Sequence, residues 1–186
     1  MTVPTDLDRR FRAAAVRAGA LDAAYDVIDS ELGPLLAAVT DRGLARITYD
    51  ADPQQELERI ARLAGPRVLR APRALDQARR ELDDYFAGRR KAFDLDLDLR
   101  GQAPFAVAVL GELAKVPYGR TSTYGELATR AGNPRAARAV GMVMNRNPVP
   151  IVLPCHRIVG ASGSLVGYGG GLERKEQLLR LEGAIL

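Results

Sequence analysis

Cysteine and histidine are nearly missing from this chain: each occurs once, and the two are neighbours, Cys155 and His156. A single cysteine excludes an intramolecular disulfide, and one cysteine with one histidine excludes a Cys-rich zinc site, so no metal is expected. No run of about 18 apolar residues occurs, so no membrane-spanning helix is expected. The first twenty residues carry Asp6, Asp8, Arg9, Arg10, Arg12 and Arg17 in place of the apolar core of an export signal. The expected location is the cytoplasm.

What is present fits a globular protein. The 186 residues are 47% hydrophobic and 27% charged, enough for one large domain or two small ones. The net charge of +4 is unevenly spread: residues 1–100 hold 17 Lys/Arg against 18 Asp/Glu (net −1), and residues 101–186 hold 10 against 5 (net +5). A basic C-terminal half points to an anionic partner, nucleic acid first among them; a generally Arg-rich composition is the alternative.

Residues 1–22 read as an Ala/Arg-rich extension, helical or frayed. Three short strands follow over residues 25–28, 35–39 and 44–49, with turns at Gly33-Pro34 and at Asp41-Arg42-Gly43, the second of hairpin length. Leu57, Ile60 and Leu63 mark one helix; Leu75, Ala78, Leu82 and Tyr85 mark a second, which Gly88 is placed to stop. Residues 94–99 alternate Asp and Leu with period two, a strand or extended linker with leucines inward and aspartates outward. Three carboxylates on one face suggest a metal, but no ligand cluster accompanies them, and a solvated face is the better reading. Residues 100–104 read as a boundary, giving an extension over 1–22 and domains over 23–99 and 100–186.

The second half opens with a helix over residues 105–116, apolar at Phe105, Val109, Leu113 and Val116. Thr123 and Glu126 then form a capping box for a helix that ends at Gly132. Asn133 is placed to cap the next helix, with Pro134 in its first position. Two helices joined this tightly make a helix-turn-helix, a common reader of nucleic acid, although many such hairpins only pack. On the second helix Ala136, Ala137, Ala139 and Gly141 are small, Arg138 is a lone long cation, and Val140, Val143 and Met144 face a core. Small residues allow close approach to a groove and let Arg138 reach between strands; a tight helix–helix contact with Arg138 in solvent is the alternative.

Val149-Pro150-Ile151-Val152-Leu153-Pro154 leads to Cys155 through buried, extended backbone in which the prolines exclude a regular helix. Gly160-Ala161-Ser162-Gly163 forms a turn, and Gly167-Tyr168-Gly169-Gly170-Gly171 has the composition of backbone that passes close to a ligand. A last helix over residues 172–181 ends at Gly183. A thiol in such apolar surroundings has a raised pKa and stays inert without a base. His156 is the available imidazole. Neighbours on an extended chain point apart, so a water between thiol and imidazole, with a carboxylate orienting the ring, fits better than direct contact. An inert buried thiol is the alternative. A papain-like hydrolase is disfavoured because its histidine comes from elsewhere in the fold.

Pro154-Cys155-His156-Arg157-Ile158 resembles the active-site signature of the O6-alkylguanine-DNA alkyltransferases. The similarity extends through Thr123-Tyr124-Gly125-Glu126-Leu127-Ala128, Gly132-Asn133-Pro134-Arg135-Ala136-Ala137-Arg138-Ala139-Val140-Gly141, Asn147-Pro148-Val149-Pro150 and the glycine run to Gly183. It is strong from about Tyr118 onward and weak over the first hundred residues. The resemblance implies an α/β protein: a ribonuclease H-like small sheet with helices, then a mostly helical, winged-helix-like domain bearing the helix-turn-helix. It implies stoichiometric, irreversible transfer of a methyl or alkyl group from O6 of guanine, and from O4 of thymine, to Cys155, without a cofactor. His156 would take the thiol proton through water, Glu182 would orient His156, and Asn147 would support the turn. A monomer would bind double-stranded DNA carrying the lesion from the minor groove, with cooperativity along the duplex left open. The base would be flipped out and Arg138 would fill the gap. Gly125, Asn133, Ala137 and Ala139 would lie along the DNA, and Tyr124 would act at the base and its 3′ phosphate. Met144, Ile158, Tyr168 and the Gly169 backbone would form the base pocket, and Lys175 would hold the loop.

The chain departs from the family pattern at Phe105-Ala106 and Leu110, where relatives often carry Phe-Gln and Trp. It lacks the residues for the N-terminal zinc site of some relatives. A lesion-binding protein without transfer activity is the rival reading, but such relatives usually replace the nucleophile, and Cys155 is present.

Overall fold

The computed structural model describes residues 6, 7, 10, 12, 14, 15 and 18–186. Those at positions 6, 7, 10, 12, 14 and 15 are helical, and the rest of the expected extension up to residue 17 lies outside the described residues. The chain divides into two compact units, one of residues up to 83 with 94–100, the other of 84–93 with 101–186.

The first unit is built on a four-stranded sheet. Its strands are β1 (Ala23–Ile28), β2 (Leu35–Thr40), β3 (Gly43–Tyr49) and β4 (Val68–Arg70), in the order β3-β2-β1-β4. β1–β2 and β2–β3 are antiparallel, as short hairpin connections dictate, and β1–β4 is parallel. The parallel strand needs a crossover, which α1 (Pro53–Ala64) supplies, capped by the Asp52 carboxylate accepting from Gln54 and Gln55 N–H. Leu35, Leu36, Ala37 and Ala38 are all at most 3% exposed, so β2 is covered on both faces. Alternate residues Ala23, Leu36 and Ala38 pack against Ile60 of α1. β4 was not legible in the sequence: three residues are too short for a period to show.

Extended backbone over residues 94–99 touches the sheet at one bridge, Leu44–Leu97. Gly43, at φ 125, makes this possible, since a Cβ there would collide with the Asp96 carbonyl. Asp94 and Asp96 face outward as expected. Asp98 does not: it is 3% exposed, and it accepts hydrogen bonds from Thr40 Oγ1 (2.6 Å) and Arg100 Nε (2.7 Å). Its burial is tolerated because both partners come with it.

The second unit receives the end of α2 (Asp76–Phe86), and then holds α3 (Pro104–Ala114), β5 (Ser122–Thr123), α4 (Tyr124–Arg130), α5 (Ala137–Asn145), β6 (Ile158–Val159) and α6 (Leu172–Leu181). Its core includes Val109, Leu110, Leu113, Leu127, Val140, Ile151 and Leu178, each at 0% exposure. The capping box is present: Glu126 N–H donates to Thr123 Oγ1 (3.2 Å), and Thr123 N–H donates to the Glu126 carboxylate (2.9 Å). Two expectations are corrected. Asn133 does not cap α5: Ala136 N–H bonds its carbonyl (3.0 Å), closing a turn over residues 133–136, and the helix starts at Ala137 without a side-chain cap. The reason is that Pro134 serves the second position of a turn as well as the first of a helix. The approach to Cys155 is not extended either. Leu153 N–H returns to Val149 O (2.9 Å), Ile151 adopts φ 76, and Cys155–Arg157 is a short 3-10 helix.

Candidate active site

The parallel pair β5–β6 matches Ser122 with Ile158 and Thr123 with Val159. It therefore sets the N-terminus of α4 beside the segment that follows the nucleophile. Cys155 itself is 4% exposed, and burial pushes its thiol up to about 11, against the Asn147 hydrogen bond and the Lys175 charge. A thiol in that range is protonated at neutral pH and needs a base at the moment of attack. Asn147 fixes the preceding turn: its amide donates to Leu153 O (2.7 Å), and its carbonyl accepts from Val149 N–H (3.1 Å).

His156 is wholly buried, with Nε2 2.9 Å from Glu182 Oε1. Burial holds its pKa below the ordinary value despite Glu182, with Arg157 and Lys175 adding to the effect. The imidazole is thus neutral at rest. Burial alone would raise Glu182, but hydrogen bonds from His156, Arg157 and Tyr85 outweigh it and leave the carboxyl at about 2. An ionised carboxylate accepts only, so Nε2 carries the proton and Nδ1 the lone pair. Nδ1 is buried with no hydrogen-bond partner among the described residues.

Sequence reasoning named Glu182 but missed what holds it. Arg157 donates to both oxygens, Nε to Oε2 (2.9 Å) and Nη2 to Oε1 (2.8 Å), and uses Nη1 on Val116 O (2.6 Å). Tyr85 donates to Oε1 (2.6 Å), and Gly119 N–H donates to Oε2 (3.2 Å). Arg157 stood in the signature, and its charge was the available signal. Tyr85, 97 residues from Glu182, looked like an apolar helix position.

The glycine loop is held from two sides. Lys175, at 0% exposure, donates to the carbonyls of Ile158 (2.5 Å), Val166 (2.7 Å) and Gly167 (3.3 Å). Burial lowers its pKa to about 8. The Tyr124 hydroxyl donates to Val166 O (3.1 Å). Among the other expected pocket residues, Met144 and Ile158 are buried, Tyr168 is half-buried and Gly169 is exposed. Gly125, Asn133 and Arg138 are exposed, with Ala137 and Ala139 half-buried between them. Arg135, Arg138 and Arg146 are exposed and have no carboxylate partner among the described residues.

Fold and site together define a class: helix-turn-helix proteins with a buried cysteine next to a buried histidine–glutamate pair. Residues 23–99 match the family model for the 6-O-methylguanine DNA methyltransferase ribonuclease-like domain, and residues 104–184 match that for its DNA binding domain. A methylated-DNA–protein-cysteine methyltransferase of Methanosarcina acetivorans is 40% identical over 86% of this chain and 98% of its own. One of Mycolicibacterium paratuberculosis is 45% identical over 85% and 91%. The crystal structure of Mycobacterium tuberculosis OGT in complex with DNA superposes with a TM-score of 0.76 at 41% identity, covering 87% of this chain and 93% of that one. The chain belongs to the 6-O-methylguanine DNA methyltransferase family. No helix among the described residues is long and apolar enough to cross a membrane.

Proposed function

We infer that this protein repairs DNA by moving a methyl or other alkyl group from O6 of guanine onto Cys155. One observation carries the assignment of roles: His156 is buried with Nε2 committed to Glu182 and Nδ1 unpartnered among the described residues, next in sequence to the nucleophile. The thiol proton passes through a water to Nδ1 as sulfur attacks the alkyl carbon. The S–C bond forms, the C–O6 bond breaks, and guanine leaves with the electron pair and takes up one proton as His156 gives its own back through water, with Tyr124 as a hydrogen-bond donor at the base. Sulfur loses one proton and guanine gains one, so the transfer is neutral overall. The thioether has no good leaving group, so the protein is consumed, and O4 of thymine offers the same chemistry.

The same reading places residues 100–186 as the DNA-binding and acceptor domain, residues 23–99 as the ribonuclease H-like domain, and residues 1–22 as an extension. A cytoplasmic monomer docks α5 in the minor groove. Gly125, Asn133, Ala137 and Ala139 lie along the backbone, and Arg138 replaces the flipped nucleotide in the stack. Met144, Ile158, Tyr168 and the Gly169 backbone receive the base. What supports this is the exposed Arg138 among small residues and the junction of α4 with the Cys155 segment.

Intact-protein mass spectrometry after incubation with an O6-methylguanine duplex tests the function. The expected result is one stable methyl adduct, at Cys155. Cys155→Ala should form none while DNA affinity stays within a few fold, because phosphate contacts supply most of the binding. An adduct at another residue in that variant overturns the assignment; binding without any adduct in the wild type makes this a lesion-binding protein.

A further inference from the structure

Five donors converge on Glu182, more than the roughly four lone-pair directions of a carboxylate. Oε1 alone serves Tyr85, His156 and Arg157. Arg157 is a permanent cation with fixed fork geometry and sets the plane of the carboxylate. Tyr85 is different. Its ring is 0% exposed and is wedged edge-on against Phe86 (5.5 Å between centroids) and Tyr118 (6.1 Å), with Phe93 at 5.3 Å. The hydroxyl has no room to swing away. A phenylalanine would fill that space without burying a hydroxyl, so a tyrosine needs a reason. A satisfied core tyrosine is the plain explanation. Against it stands the identity of the partner: the very oxygen that receives His156 Nε2–H.

We propose that Tyr85 is a positioning residue of the proton relay, fixing the Glu182 oxygen that faces His156 and, by sharing it, tuning how readily the imidazole takes up the thiol proton. This rests on reading Cys155 as the alkyl acceptor. Imidazolium on His156 is stabilised by negative charge on Oε1, and every other donor to Oε1 draws on that charge. Removing the Tyr85 hydroxyl leaves Oε1 more basic and the imidazolium more stable. His156 then protonates at higher pH and is lost as a base sooner on acidification. The remaining groups facing the pair are Arg157 and Cys155 from the 3-10 turn, the Gly119 N–H, Lys175 from α6, and Tyr118, whose ring carries Lys91 at 5.8 Å. None changes in the variant.

The test is the single-turnover rate of methyl transfer to Cys155 at saturating duplex, measured across pH by mass spectrometry. In Tyr85→Phe the acid limb should move up by about 0.5–1 pH, a part of what a hydrogen bond to a charged carboxylate is worth, because the imidazole feels its loss only through the shared Oε1. With 3,5-difluorotyrosine at position 85, a stronger donor of the same shape, the limb should move down. The fluorinated protein decides alone if Tyr85→Phe fails to fold. His156 is the one imidazole in the chain, so its NMR signal gives a second reading of the same shift. If neither protein moves the limb, and rates fall only with the folded fraction, Tyr85 is structural and the proposal is overturned. If the wild type transfers no methyl group, the functional reading fails instead.

Discussion

Ile151 holds φ 76 with its side chain wholly buried, four residues before the nucleophile. A β-branched residue there costs on the order of 1–2 kcal/mol, offset by its packing and by the turn that delivers Cys155. Ile151→Ala and Ile151→Gly should both destabilise, by about 2–5 kcal/mol for the lost side chain. Their order tests the strain: Gly should match or exceed Ala, reversing its usual deficit of about 0.5–1 kcal/mol. Urea titrations in which Ala is clearly the more stable would remove the strain argument. Glu182→Ala should destabilise as well, by about 3–5 kcal/mol, because it strands Arg157, 6% exposed, without its partner. At this scale the sequence was informative where chemistry demands a rare residue type, as with Cys155, His156 and the resemblance that pointed to Glu182. It was silent on Tyr85 and Gly119, whose part is played through a hydroxyl and an amide that any core tyrosine or loop glycine possesses.

Helices α4 and α5 were legible because their punctuation is local. A capping box needs two residues three apart, and both hydrogen bonds formed as read. Thr123→Ala should cost about 0.5–2 kcal/mol, visible as a lower urea midpoint. The start of α5 was misplaced by several residues, because Asn133-Pro134 is equally good grammar for a turn and for a helix start. The Cys155 approach was misread for a related reason: prolines exclude a helix but do not distinguish an extended strand from a tight turn. On α5, Arg138→Ala should strongly impair transfer from duplex DNA and leave transfer from free O6-methylguanine nearly unchanged. Flipping costs on the order of a few kcal/mol, and the arginine offsets part of it. Arg138→Lys should rescue in part, lacking the planar fork. Equal losses on duplex and free base would assign Arg138 to the pocket instead.

Across the whole molecule the acid response is led by the two depressed groups of the buried site, which act with the same sign. His156 sits below its ordinary 6.5, so the unfolded chain takes up the proton first and stability falls as pH drops beneath that value. Glu182, at about 2 against 4.5, contributes stability that is complete above 4.5 and lost on descending towards 2. In alkali the signs oppose. Cys155 gives up stability between 9.0 and about 11, while Lys175 relieves a cost between about 8 and 10.5. Thermal melts should therefore drop on the acid side and stay shallow from neutral into mild alkali; a melting temperature that rose on acidification would contradict the burial of His156. The burial of Lys175 has a consequence for ionic strength as well. Dissolved ions screen the exposed Arg135, Arg138 and Arg146 but cannot reach an ammonium at 0% exposure that grips three carbonyls. Salt thus acts as a dial on docking alone: raising it should loosen the hold on duplex DNA while the loop, and the rate with free base, stay as they were.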